Sequence, residues 1–388
     1  MGLHRHRSAL PYVLLRQHGI VGEARLVKMG RRRRDANLMR KTIAAPICSI
    51  IPPHIFNRLS QSHDPDYQRL GLRGLQITAR LRAQRSANEA IEGRAADTPG
   101  LLTRTVYTAS HHESLPGRVV RSEGGKSTGN TAEDQAYDGA GIVWDFYKAV
   151  FGRDSLDNHG LRLDSTTHYG AGYDNAFWNG SQMVYGDGDG KLMHDFTAAI
   201  DVIGHEMTHG VTQNESELAY HGESGALNES LSDVFGILVK QRHLLLDAAS
   251  SDWLIGVGIL IPPDPLPAGA VCRGLRDMLN PGTAYRGLPF GDDPQPATYA
   301  DRYTGPDDNG GVHINAGIPS KVFATYATAV GGNAWETPGH VWYRAATGAG
   351  LPSAATFAQF KAITIEAARQ IDAATVPALQ YAWATVGI

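Results

Sequence analysis

The chain has 388 residues, of which 42% are hydrophobic and 19% charged, so it is long enough to build two domains around sizeable cores. No apolar run is long enough to predict a membrane-spanning helix, and two cysteines exclude a framework of several disulfides while leaving one bridge open. The net charge of −3 is unevenly spread. Residues 1–41 carry 11 Lys+Arg and 2 Asp+Glu, which leaves 25 and 37 of the totals of 36 and 39, or −12, for the remainder.

The basic leader, residues 1–46, predicts neither nucleic-acid binding nor a recognisable export signal. Its run Arg31–Arg34 has no accompanying aromatic platform or nucleic-acid-binding motif. The apolar run Tyr12–Leu15 is too short for the core of a signal peptide, and Arg16 interrupts it. One hypothesis is that the leader is not part of the natural protein and that translation starts at Met39 or another downstream codon. N-terminal sequencing of the expressed precursor tests it, and a product that retains the first residue refutes it.

Residues 47–97 read as a separate N-terminal segment that ends in a linker. Apolar residues recur at helical spacing from Asp66 to Glu92, and small and turn-forming residues dominate Gly93–Gly100. The spacing predicts a helix over 66–92. We expect proteolytic processing between Ser86 and Gly100.

The next region, residues 98–218, begins with short β-type runs separated by Gly and Asn/Asp turns. Examples are Thr103–Thr108 and Gln182–Tyr185. This pattern predicts a sheet-bearing lobe.

The most informative motif is His205-Glu206-Met207-Thr208-His209. Positions i and i+4 of a helix share a face, so His205 and His209 can present their imidazoles to one metal ion, with Glu206 beside the open coordination position. The alternative is an ordinary solvated helix face, which the apolar character of the preceding Phe196–Gly204 disfavours. The motif predicts a zinc site with a catalytic base.

Two further clusters suit such a site. Glu229 and Asp233 are again i and i+4, and two acids buried on one face need a cation or donors to offset them. We expect one acid on the zinc and the other holding a ligand imidazole, with an exposed acidic face as the alternative. His313 follows a glycine turn five residues after Asp308, whose carboxylate can fix the tautomer of His313 and raise its pKa.

Beyond Ser224 the pattern changes to helices, and the zinc helix lies at the junction. The sequence therefore predicts an α+β fold with an N-terminal sheet-bearing lobe, residues 98–218, and a mostly α-helical C-terminal lobe, residues 219–388. We expect the cleft between the two lobes. The predicted helices of the second lobe are Leu227–Arg242, Pro319–Ala329, Trp335–Ala346, Ala354–Asp372 and Val376–Val386.

In this order the motifs resemble the thermolysin family of zinc metallopeptidases, and within it most closely the protealysin-like branch with short propeptides. The resemblance covers roughly residues 100–388 and the upstream Pro52-Pro53 element, and it implies the two-lobed thermolysin-like fold. Besides the zinc helix and the Glu229 segment, the motifs that carry it are Asn175–Gly180, Met183–Gly188, Leu275–Met278 and Gly310–Ile318.

Carried over position by position, the resemblance implies a complete hydrolytic site. The zinc ligands would be His205, His209 and Glu229, with Glu206 as the general base. The other implied roles are Tyr220 and His313 as donors to the oxyanion, Asp308 as the group that orients His313, Asp233 and Asn228 as partners of the ligand histidines, and Asn175, the Ala176 carbonyl and Arg276 as contacts of the substrate backbone. An apolar specificity pocket would be lined by Met193, Phe196, Val202, Ile255 and Leu275.

The expected function is a zinc-dependent endopeptidase, made as a zymogen, that cleaves on the N-terminal side of hydrophobic residues and holds one zinc per chain. Residues 47–97 would be its propeptide, with the Pro52-Pro53 element in the cleft as an intramolecular inhibitor. The sequence leaves open whether Cys48 also approaches the zinc as a thiolate. The alternative function is a catalytically silent zinc-binding protein that keeps the peptidase fold, and an aminopeptidase would need an acidic cluster that is not evident.

Expected partners are protein or peptide substrates, with no nucleic acid, no membrane and a monomeric chain. The resemblance favours a secreted enzyme, and a cytoplasmic precursor is the alternative.

Larger relatives in the family bind paired calcium ions, and we expect this pair to be absent here. Asp201 and Asp252 match two of the ligand positions. Lys240, Leu254 and Val257 stand where acids would be needed, so the oxygen cage is incomplete.

Three other segments are predicted to be loops or turns. Asp187–Gly190 looks like a calcium loop, but Lys191 and Ala198 occupy ligand positions, so a turn is expected. The proline-rich insert 260–271 and the segment 285–296 are expected to be loops near Arg276 that reshape substrate access.

Overall fold

The computed structural model describes residues 48–87 and 99–388, and for residues 82–87 it describes the backbone alone. The basic leader and most of the predicted linker, with its processing site, lie outside the described residues. Among the residues that are described, none of the helices is both long and apolar enough to cross a membrane.

A six-stranded mixed sheet forms the N-terminal lobe. Its strands in chain order are β1 (Cys48–Ser49), β2 (Arg104–Thr108), β3 (Arg118–Ser122), β4 (Leu163–Thr167), β5 (Ala176–Trp178) and β6 (Met183–Tyr185). In space the order is β1-β5-β6-β4-β2-β3, with β4 parallel to both β2 and β6 and the other pairs antiparallel. The two strands predicted from sequence, β2 and β6, are confirmed with slightly shorter bounds.

The N-terminal segment contributes the edge strand of this sheet. Strand β1 pairs antiparallel with β5, so that Cys48 lies opposite Trp178 and Ser49 opposite Phe177. Helices α1 (Pro53–Ser60) and α2 (Pro65–Ala87) follow, and α1 buries Ile55, Phe56 and Leu59. The sequence pattern predicted α2 but not the pairing of β1 with the sheet.

A long helix in the N-terminal lobe, α3 (Thr131–Phe151), was missing from the sequence prediction. Asn130 caps its start by accepting a hydrogen bond from the Glu133 backbone N–H, and Gly152 ends it in the left-handed conformation at φ 68°. Both capping residues are visible in the sequence and mark the two ends of this helix. The lobe is therefore a sheet with a covering helix.

The centre of the molecule is a pair of closely packed helices, α4 (Ile200–Asn214) and α5 (Gly222–Leu244). Both are buried over most of their length, and they touch at glycines. A Cβ added to Gly236 would lie 2.6 Å from the Asp201 carbonyl oxygen, and one added to Gly204 would lie 3.0 Å from the Gly236 Cα. Because no side chain separates the backbones there, polar groups on α5 can reach those on α4.

The C-terminal lobe consists mainly of helices after α5. They are α6 (Asp307–Asn315), α7 (Gly317–Val330), α8 (Thr337–Thr347), α9 (Phe357–Asp372) and α10 (Val376–Thr385). The predicted helices agree with these bounds to within a few residues, except that α5 begins earlier than predicted. Helix α9 begins three residues later than predicted, because Thr356 forms a capping box with Gln359.

Two short hairpin-like pairs join the helices of this lobe. Strand β7 (Leu254–Ile255) pairs with β9 (Arg276–Asp277), and β8 (Val271–Cys272) pairs with β10 (Tyr285–Arg286). The insert 260–271 is a loop that ends in β8. With a sheet-bearing first lobe and a helical second lobe, the predicted fold class is confirmed.

Candidate metal centre and substrate cleft

Three potential metal ligands from α4 and α5 meet in the buried space between the two helices. The Nε2 atoms of His205 and His209 are 3.1 Å apart. Glu229 Oε2 lies 3.4 Å from His205 Nε2, and Glu229 Oε1 lies 3.7 Å from His209 Nε2. The structure thus brings together the three residues that the sequence proposes as zinc ligands.

The partners of the two imidazoles fix which nitrogens face this point. His205 Nδ1 is 2.8 Å from Asp233 Oδ1, and His209 Nδ1 is 2.8 Å from Asn228 Oδ1. Because both partners are acceptors, each Nδ1 carries a proton, and in its neutral form each ring turns an Nε2 lone pair toward Glu229. Two nitrogen lone pairs and a carboxylate that face one another fit a divalent cation, which offsets their mutual repulsion.

Burial and neighbouring charges shift the pKa values of the three proposed ligands in directions that are compatible with a bound cation. Burial lowers the pKa of His205, but hydrogen bonds to Asp233 and Glu229 outweigh it and raise that pKa to about 9. Burial lowers the pKa of His209 to about 3. The neighbouring imidazoles hold the pKa of Glu229 below its ordinary value despite burial. A proton on His205 therefore offsets the acids when no metal is bound, and a metal would displace that proton.

Glu206 lies in the same buried space with one oxygen without a partner. Its Oε2 accepts a hydrogen bond from the Trp178 backbone N–H at 3.0 Å, which holds the carboxylate against strand β5. Its Oε1 is buried and has no hydrogen-bond partner among the described residues. Burial raises the pKa of Glu206 to about 8. An acceptor oriented in this way can take a proton from water placed beside the ligands.

The two implied oxyanion donors also lie beside Glu229. The hydroxyl of Tyr220 donates to Glu229 Oε1 and lies 3.2 Å from His313 Nε2. His313 Nδ1 is 2.6 Å from Asp308 Oδ1, so the carboxylate holds the proton on Nδ1. Burial lowers the pKa of His313, but the Asp308 and Glu229 carboxylates outweigh it and raise that pKa, so the ring can act as a donor.

A left-handed turn brings Asp308 back to His313. Residues 308 to 311 all have positive φ, between 52° and 81°, and two of them are glycines. Asp308 Oδ2 then accepts the backbone N–H groups of His313 and Ile314 at 2.8 and 3.3 Å. The same carboxylate thus caps the following helical turn and orients the imidazole.

Arg276 connects the metal centre to the cleft. Its Nε and Nη2 donate to the two oxygens of Asp233, both at 2.7 Å, and Asp233 holds His205. Its Nη1 donates to the backbone carbonyl of Ile50 at 3.0 Å. Sequence reasoning assigned Arg276 and Asp233 separate roles, whereas in the structure they form one chain of contacts to His205.

Residues 49–51, which include the end of β1, contact the groups predicted to bind a substrate backbone. Ile50 N donates to the Ala176 carbonyl at 3.2 Å, and Ile51 N donates to Asn175 Oδ1 at 3.0 Å. The Ser49 carbonyl oxygen lies 3.1 Å from His313 Nε2. The backbone of residues 49–51 therefore contacts Asn175, Ala176, Arg276 and His313 at once.

Comparisons with known proteins bear on this arrangement. Residues 84–213 match the family model of the thermolysin metallopeptidase catalytic domain, and residues 216–388 match that of the thermolysin metallopeptidase alpha-helical domain. The chain is 43% identical over 350 residues to an extracellular metalloprotease of Pectobacterium carotovorum subsp. carotovorum, across 88% of this chain and 97% of that protein. The chain belongs to the thermolysin family.

Two further matches place it near the protealysin branch of the thermolysin family. The solved structure of the precursor of protealysin, a metalloproteinase from Serratia proteamaculans, matches with a TM-score of 0.78 and 43% identity, across 88% of this chain and 99% of that one. Protease PrtS of Photorhabdus sp. (strain Az29) is 39% identical, across 87% and 91%. The predicted resemblance, the thermolysin-like fold and the metalloendopeptidase activity are thereby confirmed, and the thermolysin family implies a zinc cofactor.

The residues predicted to line the specificity pocket of this thermolysin-family chain are all buried. They belong to the same hydrophobic core cluster as Ile50 and Ile51, both of which are also buried. Two of them are neighbours where β7 and β9 pair, because Leu275 N donates to the Ile255 carbonyl oxygen at 2.8 Å. The five residues are Met193, Phe196, Val202, Ile255 and Leu275.

Where the resemblance would place the paired calcium ions of larger relatives, an ammonium group lies among the acids. Lys240 Nζ donates to the two oxygens of Asp252 at 3.0 and 3.2 Å and to the Leu254 carbonyl at 2.9 Å. It is 3.7 Å from Asp201 Oδ2. Asp187–Gly190 is irregular backbone that bends at Gly190, and Asp189 Oδ1 accepts backbone N–H groups from the three residues that follow Gly190.

Sequence reasoning missed three contacts of the site. The Trp178 backbone N–H that holds Glu206 lies inside the motif Asn175–Gly180, which could have indicated it. Ser232 Oγ lies 3.1 Å from His209 Nδ1, and His54 Nε2 lies 3.1 Å from the Tyr285 hydroxyl. Nothing in the local pattern around His54 predicts its partner, because the two residues are 231 positions apart.

Proposed function

We propose that the chain is the zymogen of a zinc endopeptidase that hydrolyses peptide bonds on the N-terminal side of hydrophobic residues. The observation that carries this proposal is the position of residues 49–51, at the end of β1 and directly after it, whose backbone meets Asn175, Ala176, Arg276 and His313 as an extended substrate would. An added edge strand uses main-chain hydrogen bonds for affinity and pockets for alternate side chains for selectivity.

The roles of the residues follow from their contacts. His205, His209 and Glu229 would hold the zinc, which supplies Lewis acidity and lowers the pKa of bound water toward about 7. Glu206 would take a proton from that water and later deliver it to the leaving amine. His313, held by Asp308, and Tyr220 would donate to the oxyanion at the scissile carbonyl. Asp233 and Asn228 would keep both ligand rings in the required tautomer.

The selectivity proposal rests on Ile50, the residue after the Ser49 carbonyl. Its side chain is fully buried and belongs to the same extended hydrophobic core as the five predicted pocket residues. A substrate residue at that position would bury a similar apolar area. Because one methylene group changes selectivity by about 1–3 kcal/mol, the preference should be broad among large apolar residues.

The segment 47–97 is proposed to be the inhibitory propeptide, and 98–218 and 219–388 the two catalytic lobes. In support, β1 fills the cleft, and His54 of α1 contacts Tyr285 in the segment 285–296. Burial lowers the pKa of His54 to about 4, so this contact is made by a neutral ring at neutral pH. Processing would occur between Ser86 and Gly100. A monomeric enzyme, secreted like the extracellular relative, completes the proposal.

The paired calcium site of larger relatives is proposed to be absent from this chain. In support, the Lys240 ammonium already offsets the charge of Asp201 and Asp252 and occupies the space between them. A hard dication needs six to eight oxygen ligands, and an ammonium in their midst excludes it.

The proposal is tested with purified precursor and processed enzyme on a casein-type protein and on peptides that vary one position. We expect the processed form to cleave before Leu, Phe and Ile rather than before Asp, with sensitivity to a chelator and recovery on addition of zinc. Glu206→Ala should abolish cleavage. Mass spectrometry should locate the new terminus between Ser86 and Gly100. Cleavage that persists in Glu206→Ala, or that prefers acidic residues after the bond, would contradict the proposal.

A further inference from the structure

The side chain of Cys48 lies beside the metal centre. Its Sγ, a ring nitrogen of His209 and a carboxylate oxygen of Glu229 all lie within 4.8 Å of one another. Cys48 is buried, and it packs in a small cluster with Tyr220 and Val312. A thiolate is a preferred ligand of zinc, so its position next to two proposed ligands is chemically significant.

The strand that carries Cys48 places one peptide bond at the catalytic groups. The Ser49 carbonyl faces His313, and the Ile50 N–H donates to the Ala176 carbonyl on strand β5, which also supplies the Trp178 N–H that holds Glu206. The bond from Ser49 to Ile50 therefore has a proposed oxyanion donor at its carbonyl and an apolar, fully buried residue after it.

A bond in that position is exposed to hydrolysis by the enzyme's own machinery unless water is kept away from it. Catalytic zinc sites use three protein ligands and leave the fourth position to water, whereas structural sites fill all four. A cysteine beside the third ligand can convert the first kind of site into the second.

We propose that Cys48 Sγ is the fourth zinc ligand of the precursor and so displaces the hydrolytic water while β1 lies in the cleft. This inference rests on the proposed zymogen function. Ligand atoms on one tetrahedral zinc ion lie about 3.5 Å apart, given Zn–N near 2.0 Å and Zn–S near 2.3 Å. The 4.8 Å limit on the separations among Sγ, His209 and Glu229 exceeds this value by about 1.3 Å, so a small shift would bring Sγ to ligand distance from those two residues. Departure of the segment after processing would return the fourth position to water.

The competing explanation is that Cys48 is simply a small apolar residue packed against Tyr220 and Val312. The chain offers a matched control, because its one other cysteine, Cys272, lies in β8 and forms no disulfide with Cys48. A substitution of Cys272 removes the same chemical group at a position outside the metal centre.

X-ray absorption at the zinc edge tests the proposal without using activity. The sample is the full-length zinc-loaded precursor in a Glu206→Gln background, which keeps the chain uncut. We expect a sulfur neighbour at about 2.3 Å in this protein and in Cys272→Ser, and its loss in Cys48→Ser. Zinc bound by nitrogen and oxygen alone in the unsubstituted precursor overturns the role of Cys48. Failure to bind zinc at all would instead defeat the proposed function.

A second measurement follows the bond itself in precursors that keep Glu206. Without the thiolate, water adds to the Ser49 carbonyl carbon, the bond from that carbon to Ile50 N breaks, and the Ile50 amine takes the proton. Mass spectrometry should find a fragment that begins at Ile50 in Cys48→Ser and Cys48→Ala, but not in Cys272→Ser. If both Cys48 variants stay as intact as the control while the processed enzymes cleave peptides normally, the proposal is wrong.

Discussion

The helix pair α4 and α5 carries two clusters of buried polar groups in which the negative charge of the carboxylates is offset in different ways. In the metal centre, two imidazole nitrogens and the Glu229 carboxylate face one another. In the second cluster, the Lys240 ammonium lies between Asp201 and Asp252. The difference teaches that buried acids alone do not identify a metal site. What distinguishes the metal centre is that its imidazole nitrogens can release a proton and become ligands, whereas an ammonium has no lone pair to offer a metal.

The largest expected effect comes from removing the catalytic base while leaving the three ligands intact. Glu206→Gln should lower kcat/KM by about 100- to 10,000-fold, because water near the ligands then loses its proton acceptor. Zinc content, measured by elemental analysis, should stay unchanged. Activity within a few-fold of the unsubstituted enzyme would show that Glu206 is not the base.

The second cluster is expected to matter for stability rather than for activity. Lys240→Met leaves the buried Asp201 without its cation, which should lower the free energy of unfolding by about 3–5 kcal/mol. The matched control is Arg242→Met, on the same helix, because Arg242 is partly exposed and its partner Asp145 is exposed, so their ion pair should contribute less than about 1 kcal/mol. Urea unfolding measures both. Equal losses in the two variants would contradict the special role of Lys240.

The metal centre should be more sensitive to the partners of its ligands than to other amides on the same helix pair. Asn228→Ala frees the ring of His209, so zinc affinity should fall about 10- to 100-fold. Asn214→Ala, which removes a bond to the Gly210 carbonyl on α4, should leave affinity unchanged. Competition with a chromophoric chelator measures both affinities, and an unchanged value for Asn228→Ala would refute the orienting role.

A smaller effect concerns pH and sharpens the contrast between the clusters. Burial raises the pKa of Asp201, and the Lys240 ammonium opposes the rise. An acid with a raised folded-state pKa contributes stability below its unfolded pKa and loses it as pH rises through the folded value. In Lys240→Met the pKa of Asp201 in the folded state rises further. The loss of unfolding free energy should therefore be largest at neutral pH and become smaller as pH falls. A loss of unfolding free energy in Lys240→Met that grows as pH falls would contradict the role of Lys240 as the cation that offsets Asp201.

The parts of the site that sequence could predict are those set by local spacing. His205 and His209, or Glu229 and Asp233, share a helix face whatever the rest of the chain does, and the structure brings all four together. The sequence also carries the two caps of helix α3, Asn130 and Gly152, but the β-type runs on either side of it dominate the pattern of this lobe.

The remaining contacts depend on chain segments far apart in sequence. Strand β1 pairs with β5 across more than a hundred residues, and the fork from Arg276 to Asp233 joins α5 to a short hairpin. Local propensity carries no information about such pairings, because either segment could find another partner. The same holds for the approach of Cys48 to His209, which sequence left as an open question.

The most direct test of the account is the anomalous signal at the zinc edge from crystals of the zinc-loaded precursor. The account predicts one strong peak per chain, about 2.0–2.2 Å from Nε2 of His205, Nε2 of His209 and a carboxylate oxygen of Glu229. A peak bound elsewhere, or no peak at these three residues in zinc-replete crystals, would contradict it.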